Sequence, residues 1–184
     1  METIIYLVRH AEINYIPDDY SRPLSEKGLK DVIRVTERFR DYKVTKVVSS
    51  PYVRAINTVQ GVADEKGLSI ELINDFRERK VAKAHIEDFD SFATRQWQDF
   101  DFCLEEGESL SVTQSRGIKA LEKLVEQYGG ESIVVGTHGT MLGVILNYYN
   151  KSHDYNFWKA IKMPDIFKFT FFDKTLIDIT HITV

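Results

Sequence analysis

Apolar and polar positions alternate along this chain in blocks that read as strands and helices in turn. Thr3 to Val8 is β-branched and aromatic without polar alternation, which predicts a short strand buried on both faces. Ser25 then stands as a helix N-cap, and Leu29, Val32, Ile33, Val35 and Phe39 recur at helical spacing behind it. Lys46 to Val48 predicts a second strand. It runs into Ser50-Pro51, a serine cap followed by proline at a first helical position. Ala55, Ile56, Val59, Val62 and Ala63 carry that helix to Gly67. Ser69 to Ile73 reads as a third strand. Ile86, Phe89, Phe92, Ala93 and Trp97 suggest a short amphipathic helix. Ser109 caps a longer one with Val112, Ile118, Leu121, Leu124 and Val125, stopped at Gly129-Gly130. Ser132 to Gly136 is a fourth buried strand and Thr140 to Tyr149 a helix. The alternating stretch from Ile166 to Ile182, around Asp173-Lys174, predicts a terminal hairpin.

Strands alternating with helices imply an α/β layered fold with a mainly parallel sheet. The 184 residues contain no repeat and no low-complexity or linker segment, so one domain over 1–184 is expected. The single cysteine, Cys103, rules out an internal disulfide and a cysteine-rich metal cage, and it is expected to be a small half-buried hydrophobe. A net charge of −4 supplies no basic field for nucleic acid. The N-terminus has neither the basic start nor the cleavage site of a leader, and no stretch approaches the length of a membrane span. The expectation is a cytoplasmic protein with no membrane or nucleic-acid partner. Its oligomeric state is open, although an exposed edge of the terminal hairpin could pair with a second chain.

In parallel sheets, ligands bind beyond the carboxyl ends of the strands. The residues there are Arg9-His10, Ser49-Ser50, Glu78 and Thr137-His138. Neither His10 nor His138 has a cysteine or second histidine at metal-ligand spacing, and neither a glycine-rich phosphate loop nor a G-x-S-x-G elbow is present. What accompanies the histidines is arginine: Arg9, and Arg54 at the start of the helix after Ser50-Pro51. Guanidinium groups grip phosphate bidentately and stay charged, and a helix N-terminus adds its own dipole. An imidazole in such a clamp could attack phosphorus, with Glu78 protonating the leaving oxygen and later accepting a proton from water. Taken singly these residues are ordinary: a histidine after a strand is most often structural, and Arg77-Glu78-Arg79 resembles a solvated charge cluster. Their coincidence at strand ends carries the reading.

The motifs around these residues resemble those of the histidine phosphatase (phosphoglycerate-mutase-like) superfamily. Leu7-Val8-Arg9-His10-Ala11-Glu12 is similar to its L-V-R-H-G-E signature, and Pro23-Leu24-Ser25 with Gly28 to its P-L-[ST]-x-x-G segment. Ser49-Ser50-Pro51 with Arg54-Ala55 and Thr58 resembles S-S-P-x-x-R-A-x-x-T. Phe76-Arg77-Glu78-Arg79, Gly107-Glu108-Ser109 with Arg116, and Val134 to Gly139 follow in family order. The resemblance implies a three-layer α/β sandwich with a small cap segment at about 80–106. It implies His10 as the phosphate-accepting nucleophile, Arg9, Arg54 and His138 as the phosphate pocket, Glu78 as proton donor, and no metal or other cofactor. The chain departs from the pattern at Ala11, where the family has glycine, and at Ile13, where it often has threonine. It also lacks the W-E-G that many members carry after the acid.

Between Glu87 and Glu108 stand eight acidic residues (Glu87, Asp88, Asp90, Asp99, Asp101, Glu105, Glu106, Glu108) against one basic residue, Arg95. A cap of that charge suits a substrate with one phosphate and a neutral or apolar remainder, met by Phe92, Trp97, Phe100 or Phe102. The same acids also suit a solvated helix face and the same aromatics a core. A phosphoglycerate mutase is the alternative activity, and a non-catalytic phosphate-binding module a third. His85, His153 and His181 match no motif and read as structural or surface groups. Trp158 and the Tyr148-Tyr149 pair read as packing.

Overall fold

The computed structural model describes residues 1–82 and 86–184, so His85 lies outside the described residues. Among the described residues six strands form one sheet: β1 (Glu2–Arg9), β2 (Lys46–Ser49), β3 (Ile70–Leu72), β4 (Ser132–Thr137), β5 (Asp165–Phe172) and β6 (Thr175–Ile182), in the order β3-β2-β4-β1-β5-β6. The β1–β4, β2–β4 and β2–β3 pairings are parallel; β5 joins β1 antiparallel and β6 closes the edge as the predicted hairpin.

The continuous apolar runs have the cause expected of them, because helices cover both faces of the sheet. On one face Tyr6, Val8, Val47 and Val134 pack with Val35 and Phe39 of α1 (Glu26–Phe39) and Val59 and Val62 of α2 (Val53–Lys66). On the other, Ile5, Leu7, Val48, Ile133 and Val135 meet Leu121 and Leu124 of α4 (Leu110–Gln127) and Met141 and Ile145 of α5 (Gly139–Tyr149). The short α3 (Phe89–Gln98) and α6 (Tyr155–Ala160) lie together at one end, with the Trp97 and Trp158 ring centroids 5.8 Å apart.

Several expectations change in detail. Leu29 and Ile33 are exposed, and α1 buries Gly28, Asp31, Val35 and Phe39 instead. Val35 and Phe39 of the expected stripe are thus buried, and the contact with α2 turns the buried face towards Gly28 and Asp31 and away from Leu29 and Ile33. Val112 is likewise exposed. Ser50 is not the cap of α2: the helix starts two residues later, with Tyr52 at its N-cap and no side-chain cap. Ser25 and Ser109 do cap α1 and α4, accepting from Gly28 N and Val112 N. Cys103 is exposed rather than half-buried. Tyr149 packs against Phe169, whereas Tyr148 is exposed. His153 and His181 hold structural contacts, with Leu146 O and Asp165. The helix α6 was not legible in the pattern. Among the described residues no helix is long and apolar enough to cross a membrane.

Candidate active site

The central strands β2, β4 and β1 are adjacent, so their carboxyl ends meet in one place. Register pairs Arg9 with Thr137 and Ser49 with Gly136. Hydrogen bonds from His10 N to Thr137 O (3.0 Å) and Ser50 N to Gly136 O (2.9 Å) carry the ladder one residue further. His10, Ser50 and His138 therefore stand together at the lip of the sheet. The His10 and His138 ring centroids are 5.3 Å apart, and Tyr52 lies edge-on to His138 at 5.1 Å.

The His10 ring has one tautomer open to it. Its Nδ1 lies 2.8 Å from Ala11 O, and a carbonyl can only accept, so Nδ1 carries the proton and Nε2 keeps its lone pair. Burial pushes the imidazole down to about 3, and the positive charges of Arg54, Arg9 and Arg22 add to that against the opposing bond to Ala11 O. Neutral His10 is thus the ordinary state near pH 7. The short Ala11 side chain is buried, Ala11 N donates to Thr58 Oγ1 (3.0 Å), and the backbone there is not in the left-handed region, which is why alanine replaces glycine without strain.

His138 is wholly buried, and burial, followed by the neighbouring His10 imidazole and the Arg54 charge, holds it well below its ordinary range. Its Nε2 lies 2.8 Å from Ser50 Oγ. That oxygen accepts from Tyr52 N and keeps one proton and one lone pair, so it can donate to His138 Nε2 or accept from it. When the hydroxyl donates, the imidazole proton sits on Nδ1.

Each arginine is anchored at one end. Arg9 Nη1 donates to Ile161 O and Arg54 Nη1 to Asp19 O. Burial lowers both guanidinium groups, an effect countered at Arg9 by Glu78 and Asp165 and at Arg54 by Asp19 and Glu78; both stay charged. Arg9 also lies on the start of α5: a Cβ at Gly139 would stand 2.9 Å from its Cζ. Among the described residues, the buried polar atoms lacking a hydrogen-bond partner include Arg9 Nε, Arg54 Nε and His138 Nδ1. Two guanidinium N–H donors and an imidazole nitrogen with nothing to bind, beside a histidine lone pair, suit an incoming anion.

Glu78 reaches the same region by another route. Ile73 N donates to Ser49 O (2.9 Å), and a single 3-10 turn, Asn74–Phe76, then brings the chain round to Glu78. Its carboxylate accepts from Arg79 N (2.8 Å) and Thr140 N (3.0 Å). From below, Arg116 of α4 donates to Asp75 O, Arg77 O and Glu78 O, and to Glu108. Burial works against ionisation of Glu108, but Arg116, Lys80 N and Arg77 outweigh it and hold the carboxyl below its usual range.

All five residues expected at the site are thus brought together. Phe92 is buried and Trp97 half-buried, both in the cap segment. Phe92 lies under Arg79, whose Cζ is 5.8 Å from its ring, and Trp97 packs on Phe100 and Trp158. Several cap acids have local partners: Asp88 caps α3, Asp90 pairs with Lys159, and Glu108 with Arg77 and Arg116. Three participants had not been singled out: Thr140, which holds Glu78; Asp19, which holds Arg54; and Arg79, buried against Gln96 and Thr140. Arg79 stands in the acid segment and Thr140 directly after the His-Gly pair, so sequence neighbourhood could have suggested them. Nothing local marked Asp19.

A family model, the histidine phosphatase superfamily (branch 1), matches residues 5–171. A probable phosphoglycerate mutase of Yersinia pestis is 28% identical over 156 residues, covering 78% of this chain and 73% of its own. Among solved structures, YhfR of Bacillus stearothermophilus superimposes with a TM-score of 0.80 at 20% identity, covering 95% of this chain and 94% of that one. A mycobacterial glucosyl-3-phosphoglycerate phosphatase gives 0.78 at 16% identity, covering 98% and 97%. These likenesses between structures establish the fold.

Proposed function

The chain belongs to the histidine phosphatase superfamily, and on that footing we propose that it is a phosphomonoesterase working through a phosphohistidine, without a metal, on a small metabolite bearing one phosphate. The observation that carries this reading is the His10 ring. Its Nδ1 proton is committed to Ala11 O, and its Nε2 lone pair is available at neutral pH beside two anchored guanidinium groups and His138.

The reaction follows in two steps. His10 Nε2 forms a bond to phosphorus as the ester P–O bond breaks, and Glu78 delivers its proton to the departing oxygen. Water then attacks the phosphohistidine, its proton passes to Glu78, and the N–P bond breaks to release phosphate and neutral His10. Arg9 and Arg54 supply the charge, and neutral His138 a hydrogen bond from Nδ1, that stabilise the phosphoryl in both transition states, the largest contribution expected in phosphoryl transfer. Among the described residues no group of three or more His, Cys, Asp or Glu could hold a metal ion. The scheme uses protein groups alone.

Hydrolysis is preferred over mutase chemistry because the described residues between Glu78 and Gly107 contribute one ten-residue helix, α3, which leaves little to enclose a phosphoglycerate during phosphoryl return. The test is a panel of phosphomonoesters with EDTA present, comparing the protein with His10→Ala, and adding 3-phosphoglycerate with a bisphosphate primer. Hydrolysis that survives chelation and vanishes in His10→Ala is expected, with an acid-labile phosphoryl group on His10 after a rapid quench. Full activity in the variant, complete loss on chelation, or efficient isomerisation of 3-phosphoglycerate would each refute the proposal.

A further inference from the structure

Between His10 and α1 the chain makes a closed loop. A bridge between Ile13 and Leu24 and a bond from Asn14 N to Pro23 O (2.9 Å) seal its ends. The loop tip lies on the start of α2: Tyr20 O accepts from Val53 N (3.1 Å), and the Tyr20 and Tyr52 ring centroids are 5.4 Å apart. From this tip Asp19 turns to Arg54. Its main-chain oxygen accepts from Nη1, and its carboxylate Oδ1 lies 3.2 Å from Nη2. The same Oδ1 is 2.6 Å from Arg22 Nη1. Arg22 is itself fixed, by a bond from its Nε to Ile16 O (2.9 Å) and by stacking 4.5 Å over the Tyr15 ring.

The charges are unequally exposed. The Arg54 side chain is 3% accessible, that of Asp19 40%, and that of Arg22 19%. The Asp19–Arg22 end is the more exposed one and contributes little to stability by itself, so this network is better understood by what it does to the buried member. It ties the terminal nitrogens of Arg54 and leaves Nε without a partner. Arg9 is divided in the same way, with Nη1 on a main-chain carbonyl and Nε unpartnered. In both, one end of the guanidinium is tied to the fold while a donor nearer the stem stays available.

We propose that Asp19 is a positioning residue for phosphate capture: anchored by Arg22, its carboxylate holds the Arg54 guanidinium in the orientation that presents its free donors to the phosphoryl group. The inference rests on the phosphatase reading above. It opposes the simplest electrostatic view, in which a carboxylate beside the pocket repels phosphate and its removal tightens binding. Misplacing a phosphate-binding group by about 1 Å can cost 10²-fold in rate, so the two views predict opposite signs.

The experiment titrates inorganic phosphate calorimetrically into the protein and its Asp19→Ala, Asp19→Asn and Arg22→Ala variants, with kcat and KM for p-nitrophenyl phosphate and the melting temperature of each. Asp19→Ala is expected to weaken phosphate and lower kcat/KM by roughly 10- to 100-fold, with a melting temperature close to that of the parent. Asp19→Asn, which keeps an acceptor oxygen for both arginines, should recover part of that loss, and Arg22→Ala should fall between the parent and Asp19→Ala. Phosphate bound as tightly or more tightly by Asp19→Ala and Asp19→Asn would overturn the proposal. So would a fall in melting temperature with unchanged phosphate affinity well below it. If Asp19→Ala fails to fold, the near-isosteric Asp19→Asn and Arg22→Ala decide by the same signs. A parent protein that binds no phosphate and hydrolyses no ester would instead sink the phosphatase reading, and this proposal with it.

Discussion

His10 illustrates how a single side chain acquires chemistry from its surroundings. An ordinary histidine is half protonated near pH 6.5, and a protonated ring has no lone pair with which to attack phosphorus. Here burial and neighbouring arginines lower it to about 3, and His138 is lowered as well. The same shifts bear on stability. A group whose folded value lies below its unfolded one contributes stability that is present above the unfolded value and lost as pH falls towards the folded value. The protein should therefore lose stability progressively from about pH 6.5 downwards, with up to ~1.4 kcal/mol per pH unit for each such histidine. His10→Gln removes one of the two, so its stability should fall less steeply between pH 6.5 and 5 in urea titrations. An identical slope in the two proteins would mean that His10 is not held neutral by the fold.

Among the secondary-structure elements, the helices show which local signals survive packing. Capping survived at Ser25 and Ser109, because an N-cap is satisfied within four residues. Ser50-Pro51 carries the same signal, yet its serine hydroxyl serves His138 and the helix begins later. The apolar stripe of α1 held at Val35 and Phe39 but not at Leu29 and Ile33, because apolar spacing leaves the centre of the buried face open and α2 decides it. Gly28 is the strongest constraint within α1. A Cβ there would stand 2.1 Å from Glu12 O, main chain just beyond His10 and Ala11. Gly28→Ala must push that segment or the helix away, and overpacking of this kind costs about 1–3 kcal/mol. A fall in melting temperature of several degrees is expected, together with reduced phosphatase activity. A variant as stable and active as the parent would show that the two elements can part freely.

At the scale of the whole molecule, the site depends on which strands are neighbours. His10, Arg54, Glu78 and His138 lie far apart along the chain, and the β2-β4-β1 order makes them adjacent. Glu78 requires one more long-range tie, the Arg116 side chain of α4, which holds the carbonyls of Asp75, Arg77 and Glu78. Arg116→Ala should loosen the segment that aims Glu78, the proposed proton donor. Hydrolysis of alkyl phosphates, whose leaving oxygen needs a proton, should fall by about 10²-fold. Hydrolysis of p-nitrophenyl phosphate, whose leaving group departs readily, should fall much less. Equal losses on both substrates would indicate general disruption instead.

The order of strands and helices, burial of the sheet on both faces, and the positions of His10, Arg9, Arg54, Glu78 and His138 were determined by the sequence itself. Each depends on local periodicity or on a short motif, after a strand for Arg9, His10 and His138, in the first turn of α2 for Arg54 and after a 3-10 turn for Glu78, and all are written in nearby residues. Tertiary structure alone decided which face of α1 is buried, the start of α2, the presence of α6, and the partners of the site: Ser50 on His138, Thr140 on Glu78, Asp19 on Arg54. Those contacts join residues distant along the chain through single side-chain atoms. Their energies depend on distance and direction in space, and no spacing along one chain encodes them.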